Sequence, residues 1–447
     1  MRHWLSATAG VVVAITVYFI GASAWAQQPP QQQQPPQQPG QQPGQQPPQG
    51  VQTQPGAPID ERPPLPALIP VATPYPLELF GLLGPPPRGI VLVPAIAISE
   101  EWVDNIFLSE TSKESDFITT FTPSLSLYAN RPRYRLIAGA SVSAELYANH
   151  SELNNGFGRS SFLLAGDFNA TPQLTLRISD TLAVDRNTTS TNTFSTGRQL
   201  SLTNSLTPGL RWQITPQSSL DASATYTTRR FFESGNGANS DDYTAQIDYL
   251  YGFTRRFTGI VGYGFTYLNL SNQENSTTHT PTVGFSYLLL PGLSVNIRGG
   301  PAITEIGGDT FISPAGSAGF TWNFRSGTLS ALYSRSVAVA GGFGGSTDEQ
   351  IASATLVMPT WIRDLTFLIS PSYTKSKSLD SSQPTQVDVE AYRVSLGVAY
   401  RISRYVSAFG GYEFVHQVTG RESTTQANAD QNRVRVGIQI GYPISLD

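Results

Sequence analysis

The sequence predicts an all-β fold: a transmembrane, up-and-down antiparallel β-barrel of about eighteen strands, with sixteen the neighbouring even count. Three observations carry that prediction. An alternation of apolar and polar residues with a period of two recurs from about Gly89 to the end. The connections between alternating stretches are tight and long by turns. Charged residues make up only 13% of the 447 residues, against about 25% in an ordinary soluble domain. Mean hydropathy is −0.17, which suits a barrel where only every second strand residue meets lipid.

In chain order, Met1 to Ala26 reads as a secretory signal peptide. Arg2 is its basic region, Val11 to Ile20 its apolar core, and Ala24-Trp25-Ala26 its cleavage site. No other apolar run approaches the roughly 20 residues that a spanning helix needs. Residues 27–88 form a second region, dominated by Pro and Gln to about Pro70. It has too few apolar residues to bury a core, so a disordered periplasmic linker with polyproline II character is expected. The same composition argues against an active transporter that needs a globular plug ahead of its barrel.

The barrel is expected over 89–447. Its clearest strand is Arg433 to Ile444. Val434, Val436, Ile438, Ile440 and Tyr442 fall on one face, and Arg433, Arg435, Gly437, Gln439 and Gly441 on the other. Tyr243 to Tyr251, Phe257 to Tyr267, Leu293 to Ile297 and Tyr392 to Tyr400 alternate likewise. Tight connections fall at 129–133, 170–173, 215–218, 254–256, 291–292, 325–327, 359–364 and 403–404. Long or polar ones fall at 109–115, 149–159, 185–198, 233–242, 272–279, 305–311, 341–350, 375–387 and 419–432. Tight turns at the periplasmic end and long loops outside are a property of transmembrane barrels. Pro94, Pro123, Pro208 and Pro371 interrupt predicted strands and are expected at bulges or strand ends, since proline donates nothing to a ladder.

Gly89 to Pro94, Asp104-Asn105-Ile106-Phe107, Ser115 to Thr119 and Thr122-Pro123 resemble the opening strands of a family of β-barrel porins of Gram-negative bacteria. Members are often found near exopolysaccharide-export systems. The resemblance is sharpest over Gly89 to Leu127. It implies an outer-membrane barrel and brings neither a defined substrate nor catalytic residues. One departure is the end, Ile444-Ser445-Leu446-Asp447, where such barrels commonly close on an aromatic; Tyr442 is the nearest.

No cysteine is present, which excludes thiol catalysis and Cys-ligated metal. No phosphate loop, zinc spacing or dinucleotide fingerprint occurs, so no cofactor is expected. A net charge of −4 without a basic stripe gives no sign of nucleic acid. His150, His279 and His416 fall in or beside separate loops, poorly placed for a catalytic constellation. Gly341 to Gly345 has no following helix and reads as a flexible loop.

The predicted function therefore lies in the bore, and an enzyme is not expected. Reading the alternation inward gives Arg135, Glu145, Arg177, Arg211, Asp221, Arg229, Asp248, Arg298, Arg393, Arg401, Arg433 and Arg435 as candidate lining residues. In water they would set a field that selects solutes, with arginine favouring anionic or sugar-like ones. The structural alternative is salt-bridge ladders that stiffen the wall. Trp102, Trp212, Trp322, Trp361, Tyr251, Tyr267, Tyr400 and Tyr412 are expected near strand ends as interfacial girdles. The expectation is a porin-like channel for hydrophilic solutes in the outer membrane of a Gram-negative bacterium, reached by the general secretory route. Its partners would be outer-membrane lipid and lipopolysaccharide, its solutes, and a periplasmic partner on the Pro/Gln arm. An exopolysaccharide-secretion component, blocked by inserted loops, and a closed adhesive barrel are the alternatives.

Overall fold

The computed structural model describes residues 89–447 apart from 189–193, 233–236, 272, 341, 361, 381–385, 421–422 and 425–427. The expected signal peptide and linker, and Trp361, lie outside the described residues. Eighteen long strands follow one another. They are β1 (Gly89–Val103), β2 (Asp116–Arg131), β3 (Tyr134–Tyr147), β4 (Asn155–Asn169), β5 (Leu174–Asn187), β6 (Arg198–Thr215), β7 (Ser218–Phe231), β8 (Ser240–Gly252) and β9 (Phe257–Leu270), then β10 (Ser276–Leu290), β11 (Leu293–Ile306), β12 (Asp309–Phe324), β13 (Gly327–Ala340), β14 (Gly344–Pro359), β15 (Leu365–Ser378), β16 (Asp388–Arg401), β17 (Val406–Thr419) and β18 (Ala429–Gly441). Each pairs antiparallel with its sequence neighbours. The sheet closes where β1 meets β18, from Ala95 opposite Gly441 to Val103 opposite Arg433. A two-residue strand, β19 (Ile444–Ser445), extends that seam along Val91 and Leu92.

The two faces differ as the alternation demands. On β18, Val436 and Ile440 are 58% and 59% exposed while Arg433 is 7% exposed. The same inversion holds on β1, with Ile96 and Ile98 exposed and Ser99 and Glu101 buried. Large aliphatic and aromatic side chains that point away from the barrel, beside polar ones that point in, define a wall against lipid. A soluble β-sandwich would bury those apolar faces instead.

Pro123, Pro208 and Pro371 lie within continuous strands and at no register shift. Each coincides with a gap in one ladder: β2–β3 skips from Phe121 to Ser124, β6–β7 from Leu206 to Gly209, and β14–β15 from Ser353 to Leu356. The ladder on the other side runs through each proline, as in Ile96 opposite Pro123 and Ile178 opposite Pro208. A proline lacks its N–H toward one neighbour only, so one side opens and the strand survives. Pro94 sits where β1 passes from β18 to β19, and its carbonyl accepts from Tyr442 N at 3.0 Å.

Several strands run further than expected. β11 and β12 meet at a Gly307–Gly308 turn with both residues at positive φ. β14 begins at Gly344 and β15 continues to Ser378, so most of 341–350 and the start of 375–387 are strand. These segments lack an apolar outer face, which hid their period.

Candidate functional site

Inner-face side chains meet one another across the ladders. Register places all twelve candidate residues on the face opposite the apolar band, and most have a carboxylate or guanidinium beside them. Arg135 meets Asp167 at 2.9 Å and Arg298 meets Asp248 at 3.5 Å. Arg177 pairs with Asp221, and Arg229 with Asp242. Arg211 lies opposite Asp221 in the β6–β7 ladder, yet it and Arg401 make no ion pair among the described residues.

The remaining candidates gather in a buried cluster along β16–β18 and β1–β5. Arg433 donates from Nε (3.0 Å) and a terminal nitrogen (2.6 Å) to Glu101 Oε1, and Arg435 donates to Glu101 Oε2 at 2.5 Å. Glu413 lies 3.6 Å from Arg393 and 3.7 Å from Arg433. Arg159 joins Glu145 at 3.0 Å and Asp185 at 2.9 Å. Four arginines thus face four carboxylates. Such a set stiffens the wall and adds little net field. Sequence reading missed Glu101, Arg159, Asp185 and Glu413. Glu101 was legible, since it shares a strand face with Ser99 and Val103. Asp185 was not, because it was assigned to a loop.

The loop end of the bore is filled. Phe194, from the β5–β6 loop, and Phe343, from the β13–β14 turn, pack with Ala340, Val387, Val389 and Ala391 into an apolar core. Phe194 is 0% exposed. A clasp fixes that loop to the far wall: Gln417 Oε1 on β17 accepts from Ser195 N at 2.7 Å, and Gln417 Nε2 donates to Ser195 O at 2.9 Å. The β13–β14 hairpin reaches the opposite wall, where Ser346 donates to Ser276 at 2.6 Å and Val339 packs with Leu268 and Leu270. Gly342 accepts from Ala238 N at 2.7 Å, adding the β7–β8 loop. Three connections therefore meet across the mouth. Gly341 to Gly345, expected to be a flexible loop, contributes described residues to this packed contact.

Asp104 and Asn105 have a structural task. Asp104 accepts from Asn432 N at 2.7 Å and from Asn432 Nδ2 at 2.6 Å. Asn105 is fully buried and its Nδ2 donates to Ser109 O and Asp430 O at 2.7 and 2.8 Å, while its backbone carbonyl accepts from Gln431 Nε2 at 2.6 Å. Together they pin the β1–β2 loop to β18. Next to it, Asp116 and Glu114 flank His150 at 2.7 and 2.8 Å. Hydrogen bonds that the imidazole donates to Glu114 and then Asp116 favour its charged form and raise its pKa from the ordinary value.

A closed eighteen-strand antiparallel barrel with an apolar outer band, a polar inner face and loops gathered at one end is a transmembrane β-barrel. No protein-family model matches the chain, and no curated protein matches it. Among solved structures it is similar to OccAB4 of Acinetobacter baumannii, with 12% identity, 80% of this chain and 98% of that chain covered, and a TM-score of 0.41. It is also similar to OpdQ of Pseudomonas aeruginosa, with 12% identity, coverage of 79% and 98%, and a TM-score of 0.40. OpdK of Pseudomonas aeruginosa, solved with vanillate, gives 8% identity, coverage of 79% and 99%, and a TM-score of 0.41. The barrel assignment rests on the ladder that closes between β1 and β18.

Proposed function

We propose that the chain is an outer-membrane, porin-like channel for hydrophilic solutes, opened when the loop residues at its mouth part. The carrying observation is the polar, charged inner face of a closed eighteen-strand wall, a size that leaves a bore. Arg211 and Arg401, without ion pairs among the described residues, supply the positive field behind a preference for anionic or sugar-like solutes. The other charged candidates, Arg135, Glu145, Arg177, Asp221, Arg229, Asp248, Arg298, Arg393, Arg433 and Arg435, line the wall as paired groups. Outer-membrane lipid and lipopolysaccharide surround the barrel. The Pro/Gln arm of 27–88 would reach a periplasmic partner after export through the general secretory route and removal of 1–26.

Single-channel recording of the refolded barrel in a planar bilayer tests this reading. The native chain should give brief, low-conductance openings with anion preference. Replacing Phe194 and Phe343 together by Ala should raise conductance several-fold, because two buried rings leave the mouth. Silence from both proteins, each shown to be a heat-modifiable folded barrel, would sink the channel. The filled mouth favours one second reading, the outer-membrane component of a polysaccharide secretion system that opens only with its partner. That barrel would stay silent alone and conduct when the partner is added.

A further inference from the structure

One carboxylate sits on the wrong face of the barrel. Asp180 lies at the centre of β5, six residues beyond Leu174 and seven before Asn187. It shares a strand face with Leu176 and Ile178, which are 41% and 40% exposed, so it points outward with them. The other outer-face carboxylates of the described strands, such as Glu100, Asp241, Asp348 and Glu390, lie near the loop end of their strands. Asp180 accepts from Asn204 Nδ2 on β6 at 2.7 Å, and the same nitrogen donates to Thr181 O at 3.0 Å. Both amide hydrogens are thereby used. With Asp180 as a carboxylate, what remains, Asp180 Oδ2 and Asn204 Oδ1, can only accept. Hydrocarbon offers no donor, and charge on a lipid-facing strand is destabilising, most of all near mid-membrane.

The same outer wall carries a matching donor four strands away. His279 on β10 points outward, and its Nδ1 lies 2.6 Å from the Tyr263 hydroxyl on β9. In the tautomer where that hydroxyl donates to Nδ1, the ring carries its hydrogen on Nε2, free to donate. Tyr263 is six residues beyond Phe257, as Asp180 is six beyond Leu174, and His279 stands opposite Phe265, two residues nearer the loops, so donor and acceptor lie within about two residues of one height above the tight turns. Val261 and Val283 beside them are 61% and 66% exposed, a smooth apolar surround.

We propose that copies of this chain associate head to tail in the membrane, with Asp180 Oδ2 of one copy accepting from His279 Nε2 of the next. The arrangement is heterologous, so it must close into a ring or run on. Eighteen strands divide the circumference into steps of about 20°, which sets β5–β6 and β9–β10 about 80° apart. A ring of three requires contact faces about 60° apart and a ring of four about 90°. The geometry therefore closes at three or four copies. The proposal rests on the membrane-embedded reading given above and goes beyond it.

The chain has no native cysteine, so introduced thiols report contacts cleanly in the full-length protein in its own outer membrane. Ile178→Cys combined with Val283→Cys should, on oxidation, give a ladder of cross-linked copies that ends at three or four. Either substitution alone should leave monomers, because the two faces differ. Adding Asp180→Leu to the double variant should abolish the ladder while the barrel stays heat-modifiable. A dimer from Ile178→Cys alone, monomers from the double variant, cross-links to another protein, or a ladder indifferent to Asp180→Leu would each overturn the proposal with the barrel still embedded. A chain that washes from the membrane would overturn the membrane reading and this one with it.

Discussion

At the scale of single residues, Glu101 decides most. It is 2% exposed and accepts from both Arg433 and Arg435 across the seam that closes the barrel. Two guanidiniums this well covered have been withdrawn from bulk water, and their counter-charge is what makes that tolerable. Replacing Glu101 by Gln keeps the shape and removes the charge. Glu413, 3.7 Å from Arg433, is then the nearest remaining compensation. Breaking a buried pair in this way costs about 3–5 kcal/mol, so the urea midpoint of the folded, heat-modifiable form should fall well below that of the native chain. Replacing Arg435 by Gln in the same chain should restore part of the loss by removing one orphaned cation. An unchanged midpoint for Glu101→Gln would mean that water reaches the cluster and screens it.

At the scale of elements, the loops between β1 and β2 and between β3 and β4 act as one unit. Val103, Ile106, Ile118 and Tyr147 form a small core with Phe107 and Leu153, and His150 bridges Glu114 and Asp116 above it. The His150 pKa is raised in the folded state. A raised histidine pKa adds stability that is complete below the unfolded value, near 6.5, and is lost as pH climbs through the folded value. Amide exchange in 104–115 should therefore quicken between mildly acidic and mildly alkaline buffer, more than it does in the Phe257–Leu270 strand. His150→Asn should flatten that difference, and a pH response that survives the substitution would assign it to another group. This unit also marks where the sequence stopped being legible. Strands such as Arg433 to Gly441 announce themselves by period, since each needs one face for lipid. Phe194, Phe343 and Val387 belong to separate connections, and nothing local says that they meet. Asp180 was hidden for the opposite reason: the rule that outward positions are apolar is the rule it breaks.

At the scale of the whole molecule, the two ends differ in chemistry as well as in loop length. Near the tight turns the outer face carries Trp212, Trp322, Tyr251, Tyr400 and Tyr442, all well exposed. Amphipathic rings of this kind settle where hydrocarbon gives way to water. Near the loops the outer face carries ion pairs instead, Arg230 with Asp241 at 2.7 Å, Lys375 with Glu390 at 2.7 Å and Lys113 with Asp430 at 3.1 Å. Mixed charge suits a leaflet of charged head groups, and the filled mouth lies at the same end. On the outer-membrane reading proposed above, both features fit loops outside the cell and turns in the periplasm, as loop length does independently. The absence of native cysteine makes the orientation measurable. Ser112→Cys in the β1–β2 loop should react with a membrane-impermeant maleimide on intact cells. Ser403→Cys in the β16–β17 turn should react only once the outer membrane is broken. Labelling in the reverse order would invert the barrel, and would put the packed Phe194 and Phe343 contact at its periplasmic end.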